Sequence, residues 1–237
     1  MIIDILHLYP KEMNLYGDHG NVLTLQRRLE WRGYQVRVTA YEPDDKLPEK
    51  IDIIFGGGGQ DSGQEKSAED LHKIAPQLKK VIDDDTPTLV ICGLYQLFGK
   101  SFIALGNKHL DGANILPLRT IAGPKRMIGN IVIDTKFGEV VGYENHSGIT
   151  QLNEEATEFG KVVKGHGNSG LDGTEGCIYK NCIGTYLHGP LLPKNPKIAD
   201  FLIKTAIENQ TGKSVKLEPL DDKLEKLAHT VAASRPA

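Results

Sequence analysis

The stretch TLVICGLYQLFGK, residues 88–100, constrains this chain more than any other. Thr88, Leu89, Val90 and Ile91 show no polar alternation, which predicts a central strand buried on both faces, as in parallel α/β sheets. From Leu94 the apolar spacing changes to Leu94, Leu97 and Phe98, the period of a helix. Cys92-Gly93 is therefore placed on a sharp turn, with the sulfur above the sheet edge and facing the positive end of the helix. That is the geometry of a nucleophile elbow. A buried cysteine of no chemical consequence is the commoner outcome for this residue type. Position speaks against it here, because the carboxyl ends of strands are where open α/β sheets bind ligands.

The segments before the elbow fit the same architecture. Residues 2–8 read as a buried strand, and residues 9–21 as a turn-rich loop in which Asp18 or Asn21 caps the next helix. Val22, Leu25 and Leu29 give that helix one apolar face. Strands follow at 34–40 and 51–55, then a helix carrying Leu71, Ile74, Leu78 and Ile82. The order predicts an α/β fold with a doubly wound, mostly parallel sheet. After residue 100 short β-prone runs at 128–134, 139–144, 161–164, 176–179 and 183–187 alternate with glycine-rich turns, a β-rich half returning to the active-site edge. Helices are expected at 195–210 and 221–233, with residues 234–237 frayed. One compact domain over 1–210 and a helical extension over 211–237 is the expected division.

Composition works by exclusion. A net charge of −3 in 237 residues leaves no basic footprint for nucleic acid. No apolar run approaches the roughly 20 residues of a membrane helix, and the opening MIIDILHL has no signal-peptide pattern, so a cytoplasmic protein without membrane insertion is expected. Three cysteines without a Cys-x-x-Cys pair point away from disulfides and metal sites.

Two further features carry chemistry. Gly56-Gly57-Gly58-Gly59 follows a buried strand, and such a loop can turn consecutive N–H groups towards an anion. Asp61 stands where a dinucleotide fingerprint needs its last glycine, so the expected use is an oxyanion hole from Gly57, Gly58 and the elbow's Gly93. His188 ends a predicted strand just before Gly189-Pro190, the best placed of eight histidines to act as base for a thiol. Gly212-Lys213-Ser214 is no phosphate loop, since Ile207 occupies the position of its first glycine and no strand precedes it.

Read together, ICGLYQL at 91–97, GGGGQD at 56–61 and TYLHGP at 185–190 resemble class I glutamine amidotransferases of the cobyric-acid-synthase-like branch. NLYGDHGN at 14–21, GYENH at 142–146 and YKN at 179–181 narrow the likeness to glutaminase subunits of that branch that serve lipid II amidation in peptidoglycan synthesis. The resemblance implies that Cys92 attacks the amide of L-glutamine, that His188 is base and acid, and that no cofactor is needed. It implies that Arg126 pairs with the substrate carboxylate and that Gln96 and His146 line the pocket. It also implies a heterodimer with a Mur-ligase-like ATP-dependent subunit of the MurT type, which would use the ammonia to amidate D-glutamate. Another cysteine hydrolase on a similar elbow, or a non-catalytic glutamine-sensing subunit, are the alternatives. Two departures stand out. The elbow has Leu94 where the family usually has a second glycine, which puts the close approach of the elbow helix in question. Pro190 replaces the Glu that often orients the histidine, so the partner is expected to supply that carboxylate or to order the loop around His188.

Overall fold

The computed structural model describes residues 1–59, 61–104, 106 and 108–237. Gln60, in the quoted glycine loop, lies outside the described residues. The chain opens with β1 (Ile2–Leu8), a short 3-10 turn (Leu15–Gly17), α1 (His19–Glu30), β2 (Gln35–Tyr41), β3 (Ile53–Gly56), α2 (Asp61–Asp83), β4 (Thr88–Ile91) and α3 (Gly93–Leu97). Six strands form the first sheet in the order β11-β12-β4-β3-β1-β2. Its outermost members are β11 (Cys177–Tyr179), antiparallel to β12, and β2, while β12 (Cys182–Thr185) and the rest run parallel. Central β3, β4 and β12 are buried at every position, as expected of strands covered on both faces.

The doubly wound expectation therefore holds, and the β-rich half does return to the elbow: β12 pairs with β4, Thr185 opposite Ile91. Most of that half forms a second sheet, in the order β10-β9-β7-β5-β6. Its spine is a ribbon of β7 (Leu118–Thr135) and β8 (Gly138–Leu152), flanked by β5 (Ser101–Ile103), β6 (His109–Asp111), β9 (Gly160–Lys164) and β10 (Thr174–Glu175). The ribbon is much longer than the runs at 128–134 and 139–144. Gly123-Pro124 reads as a break, but the ladder absorbs it as an irregularity between Ala122 and Met127, where a proline without an N–H is tolerated.

A backbone bridge beyond the end of β12 ties the two sheets together. His188 N–H donates to the Tyr143 carbonyl at 2.8 Å, and Tyr143 N–H returns the bond to His188 at 3.2 Å. Helix α4 (Pro196–Thr211) stops at Gly212, whose φ of +66° suits glycine. The segment beyond it folds back over the body. Arg28, buried, pairs with Asp200 of α4 at 2.9 Å and with Asp222, ahead of α5 (Lys223–Ser234), at 2.6 Å. The last residues are not frayed. Lys164 Nζ caps the carbonyls of Ala233 and Arg235, which have no partner within the helix, and Asn130 Nδ2 holds the Pro236 carbonyl at 2.7 Å. No helix among the described residues is long and apolar enough to cross a membrane.

Candidate active site

Cys92 leaves the end of β4 with φ +49° and ψ −101°, a conformation that costs a non-glycine residue on the order of 1–3 kcal/mol. It is pinned on both sides. Its N–H donates to the Thr185 carbonyl at 2.8 Å, and its carbonyl accepts from Gln96 N–H at 2.9 Å. The other two thiols sit inside the sheet, where burial pushes Cys177 up to about 12 and Cys182 well above the ordinary range. Cys92 alone of the three lines a cleft.

His188 follows β12, the strand next to β4, so both groups leave adjacent parallel strands at one edge. Gly58 marks the space between them: a Cβ there would lie 2.4 Å from His188 Cε1 and 3.2 Å from Cys92 Cβ. The imidazole is fully buried, with Nδ1 3.2 Å from Asp18 Oδ2 and Nε2, without any other partner, turned to Cys92. Burial alone would lower its pKa, but the Cys92 sulfur and the Asp18 carboxylate outweigh that and lift it to about 10.

Asp18 is the residue that the sequence hid. It precedes α1 at the capping position, yet its side chain makes no cap bond; it holds His188 and accepts from Gly58 N–H at 2.7 Å. Asn14 caps instead, its Oδ1 accepting from His19 N–H at 2.7 Å, and Asn21 Oδ1 accepts from Leu192 N–H. An acid therefore stands behind the histidine within this chain, where a partner's carboxylate was expected.

A cleft of about 430 Å³ opens beside the sulfur, bounded by Gly59, Gln64, Gln96, Arg126 and His146. Gly57 packs against the Met13 carbonyl and Asp18, and the Gly58 donor is taken by Asp18, so the two glycines singled out from the sequence do not face the cleft. Gly59 does. Its nitrogen is 2.9 Å from where a Cβ on Gly93 would stand, and Gly93 opens α3 with an N–H that has no partner within the helix.

Gln96 is locked in place: Oε1 accepts from Gln64 Nε2 at 2.9 Å, and Nε2 donates to Tyr186 OH at 3.1 Å. His146, on β8, lies flat on Tyr186 with ring centroids 3.5 Å apart. Its Nδ1 faces the Gly148 carbonyl at 2.9 Å and so carries the hydrogen, while Nε2 is turned to the buried Glu144 carboxylate, 3.8 Å from Oε2. Burial lowers its pKa, more than the neighbouring Glu144 carboxylate raises it. Arg126 stands in the irregular part of β7, not in a loop, with Nε bonded to Asn145 Oδ1 at 2.5 Å and its guanidinium exposed at the mouth. Asn145 in turn holds the Tyr16 hydroxyl, and the Tyr16 ring meets the His188 ring edge-on at 5.0 Å.

Leu94 fits because Gly56 makes room. The leucine is fully buried, and its Cδ1 would lie 2.2 Å from any Cβ on Gly56. Among the described residues no group of three or more His, Cys, Asp and Glu is arranged to hold a metal.

A cysteine at a strained strand-to-helix turn, with a histidine and an acid behind it, is a nucleophile arrangement that several folds share. The CobB/CobQ-like glutamine amidotransferase domain matches residues 4–196. The chain belongs to that family. Among curated relatives, the lipid II isoglutaminyl synthase (glutamine-hydrolyzing) subunit GatD of Staphylococcus aureus is 39% identical over 98% of this chain and 96% of its own length. The subunit of the same name from Streptococcus pneumoniae is 37% identical over 93% of this chain and 86% of its own. Among solved structures, a glutamine amidotransferase aligns with TM-score 0.60 at 12% identity, covering 85% of this chain and 98% of that one. The PurLQS structure from Thermotoga maritima gives 0.57 at 15%, over 89% and 100%. At such identities these two attest the amidotransferase fold alone.

Proposed function

We propose that this chain is the glutaminase subunit of a lipid II-amidating ligase, releasing ammonia from L-glutamine for a Mur-ligase-like subunit that binds ATP. The observation that carries the chemistry is the placement of Cys92 and His188 just beyond the ends of adjacent strands, side by side against Gly58. The acceptor rests on the names of the two bacterial relatives.

The steps follow from the geometry. Glutamine enters the cleft with its α-carboxylate on Arg126, whose planar fork matches a carboxylate. His188 Nε2 takes the thiol proton, and Sγ of Cys92 adds to the side-chain carbonyl carbon. The resulting oxyanion is held by the N–H groups of Gly59 and Gly93. His188 returns the proton to the leaving nitrogen, ammonia departs and a thioester remains. Water, deprotonated by the same imidazole, releases glutamate. Asp18 holds Nδ1 throughout, fixing the ring and favouring its cationic form. Gln96 and His146 shape the pocket wall; the locked amide of Gln96 gives it a fixed polar face, and the His146 ring is held flat on Tyr186.

The test is glutamate formation from glutamine by the purified chain, with labelling by a diazo-ketone glutamine analogue. An adduct on Cys92 supports the reading. An adduct on Cys177 or Cys182 overturns it, and labelling without ammonia release points to a different cysteine hydrolase.

A further inference from the structure

Helix α5 has no buried residue, and Leu224, Leu227 and Val231 are 77%, 60% and 44% exposed. A helix of this kind is not a core element. It is held by polar contacts: Asp222 on Arg28 at its start, Lys164 on its last carbonyls, and one contact in its middle. In that middle contact His229 Nδ1 donates to the carbonyl of Lys194 at 2.9 Å, while Nε2 lies 3.3 Å from Glu139 Oε1 of β8. The helix lies close against residues 192–194 and β8, and a cavity of about 520 Å³ opens beside His229, Lys194 and Asn195.

The segment beneath is the one that carries the base. Strand pairing with Tyr143 ends at His188, and the chain then turns through Gly189 at φ +82°. The Gly189 carbonyl is held by Lys194 Nζ. Lys194 is thus gripped at its backbone by α5 and grips, through its side chain, the carbonyl of the residue that follows His188.

We propose that the C-terminal helix positions the catalytic base, with His229 and Lys194 as positioning residues in series: His229 fixes the Lys194 backbone, and the Lys194 ammonium fixes the turn that sets the depth of His188 beside Cys92. This rests on the glutaminase reading only for its kinetic readout. Small displacements of a catalytic group have large consequences, since about 1 Å of misplacement costs up to 100-fold.

The test uses the full-length chain and the variants His229→Ala, His229→Asn, Lys194→Met and the double variant His229→Ala/Lys194→Met. Glutamate release gives kcat and KM, and iodoacetamide alkylation of Cys92 across pH reads the Cys92–His188 pair without glutamine. His229→Ala should lower kcat by about 5- to 100-fold, leave KM within about twofold and displace the alkylation profile. His229→Asn, whose amide can donate to the Lys194 carbonyl, should recover most of the loss. Lys194→Met should behave like His229→Ala, and the double variant should be no worse than the weaker single one, as expected of two links in one chain. Unchanged kcat and alkylation profile in His229→Ala would overturn the proposal, as would an asparagine variant no better than alanine, or losses that multiply in the double variant. A wild-type chain that releases no glutamate would overturn the glutaminase reading alone, because the alkylation profile still reports the seating of His188.

Discussion

The cleft lies between two sheets that hold their residues in different ways. On the parallel sheet, Cys92 and His188 follow strands buried at every position, and both are fixed by backbone bonds, to Thr185 and to Tyr143. On the antiparallel ribbon, Arg126 stands at a break in the ladder with its head in solvent, tied to Asn145. The first region fixes Cys92 and His188 relative to each other through the backbone. The second offers a grip that can adjust to what enters. Substitutions on the two should therefore fail differently: the parallel side in turnover, the ribbon in saturation.

The sharpest contrast is between cysteines of the same sheet. Cys92→Ser should abolish glutaminase activity, a loss on the order of 10⁶ by analogy with other nucleophile deletions, while Cys182→Ser leaves kcat within about twofold. Comparable rates for the two variants in a glutamate-release assay would break the assignment. Next comes the acid. Asp18→Asn keeps the shape but loses the charge behind His188, and the equivalent change in a serine protease triad costs about 10⁴ in kcat. An unchanged kcat would mean that the orienting acid comes from a partner subunit after all.

On the ribbon, Arg126→Ala should raise KM for glutamine by roughly 10- to 150-fold with little change in kcat, the equivalent of about 1.5 to 3 kcal/mol for a charge-assisted contact. A fall in kcat at constant KM would place Arg126 with the catalytic pair instead. The smallest effect concerns stability. Burial, with the nearby Glu144 charge adding to it, raises Glu175 to about 7, although Thr185 and Tyr186 donate to it. A folded-state pKa above the unfolded one means that the folded chain binds the proton more tightly. Its stabilising contribution is complete below pH 4.5 and is lost as pH rises to about 7, by up to about 3 kcal/mol. Glu175→Gln should thus match the wild type in urea denaturation under acidic conditions and exceed it at pH 8. Parallel curves across that range would show that Glu175 ionises alike in both states.

The parallel side was also the more legible in the sequence. Buried strands without polar alternation, the switch of period after Ile91 and the glycine run at 56–59 are local signals, and they located Cys92 and His188 correctly at one sheet edge. What stayed hidden depends on contacts made across the chain. Asp18 looks like a helix cap, and its meeting with a histidine 170 positions away is decided by tertiary packing. Which of Gly57, Gly58 and Gly59 turns its N–H to the cleft depends on single peptide orientations that composition does not encode. The ribbon was underestimated because Gly123-Pro124 has the local character of a turn. The terminal residues looked free because Lys164 and Asn130, which hold them, lie far away in sequence.

The interlocked Gly56 and Leu94 make the two sides of the elbow interdependent. A chain bearing glycine at both positions can acquire the leucine first, filling open space. From the present state, however, any enlargement at residue 56 collides with Cδ1 unless residue 94 has already shrunk. The two positions are coupled: a laboratory graft that brings a larger residue to 56 without changing residue 94 inherits the collision.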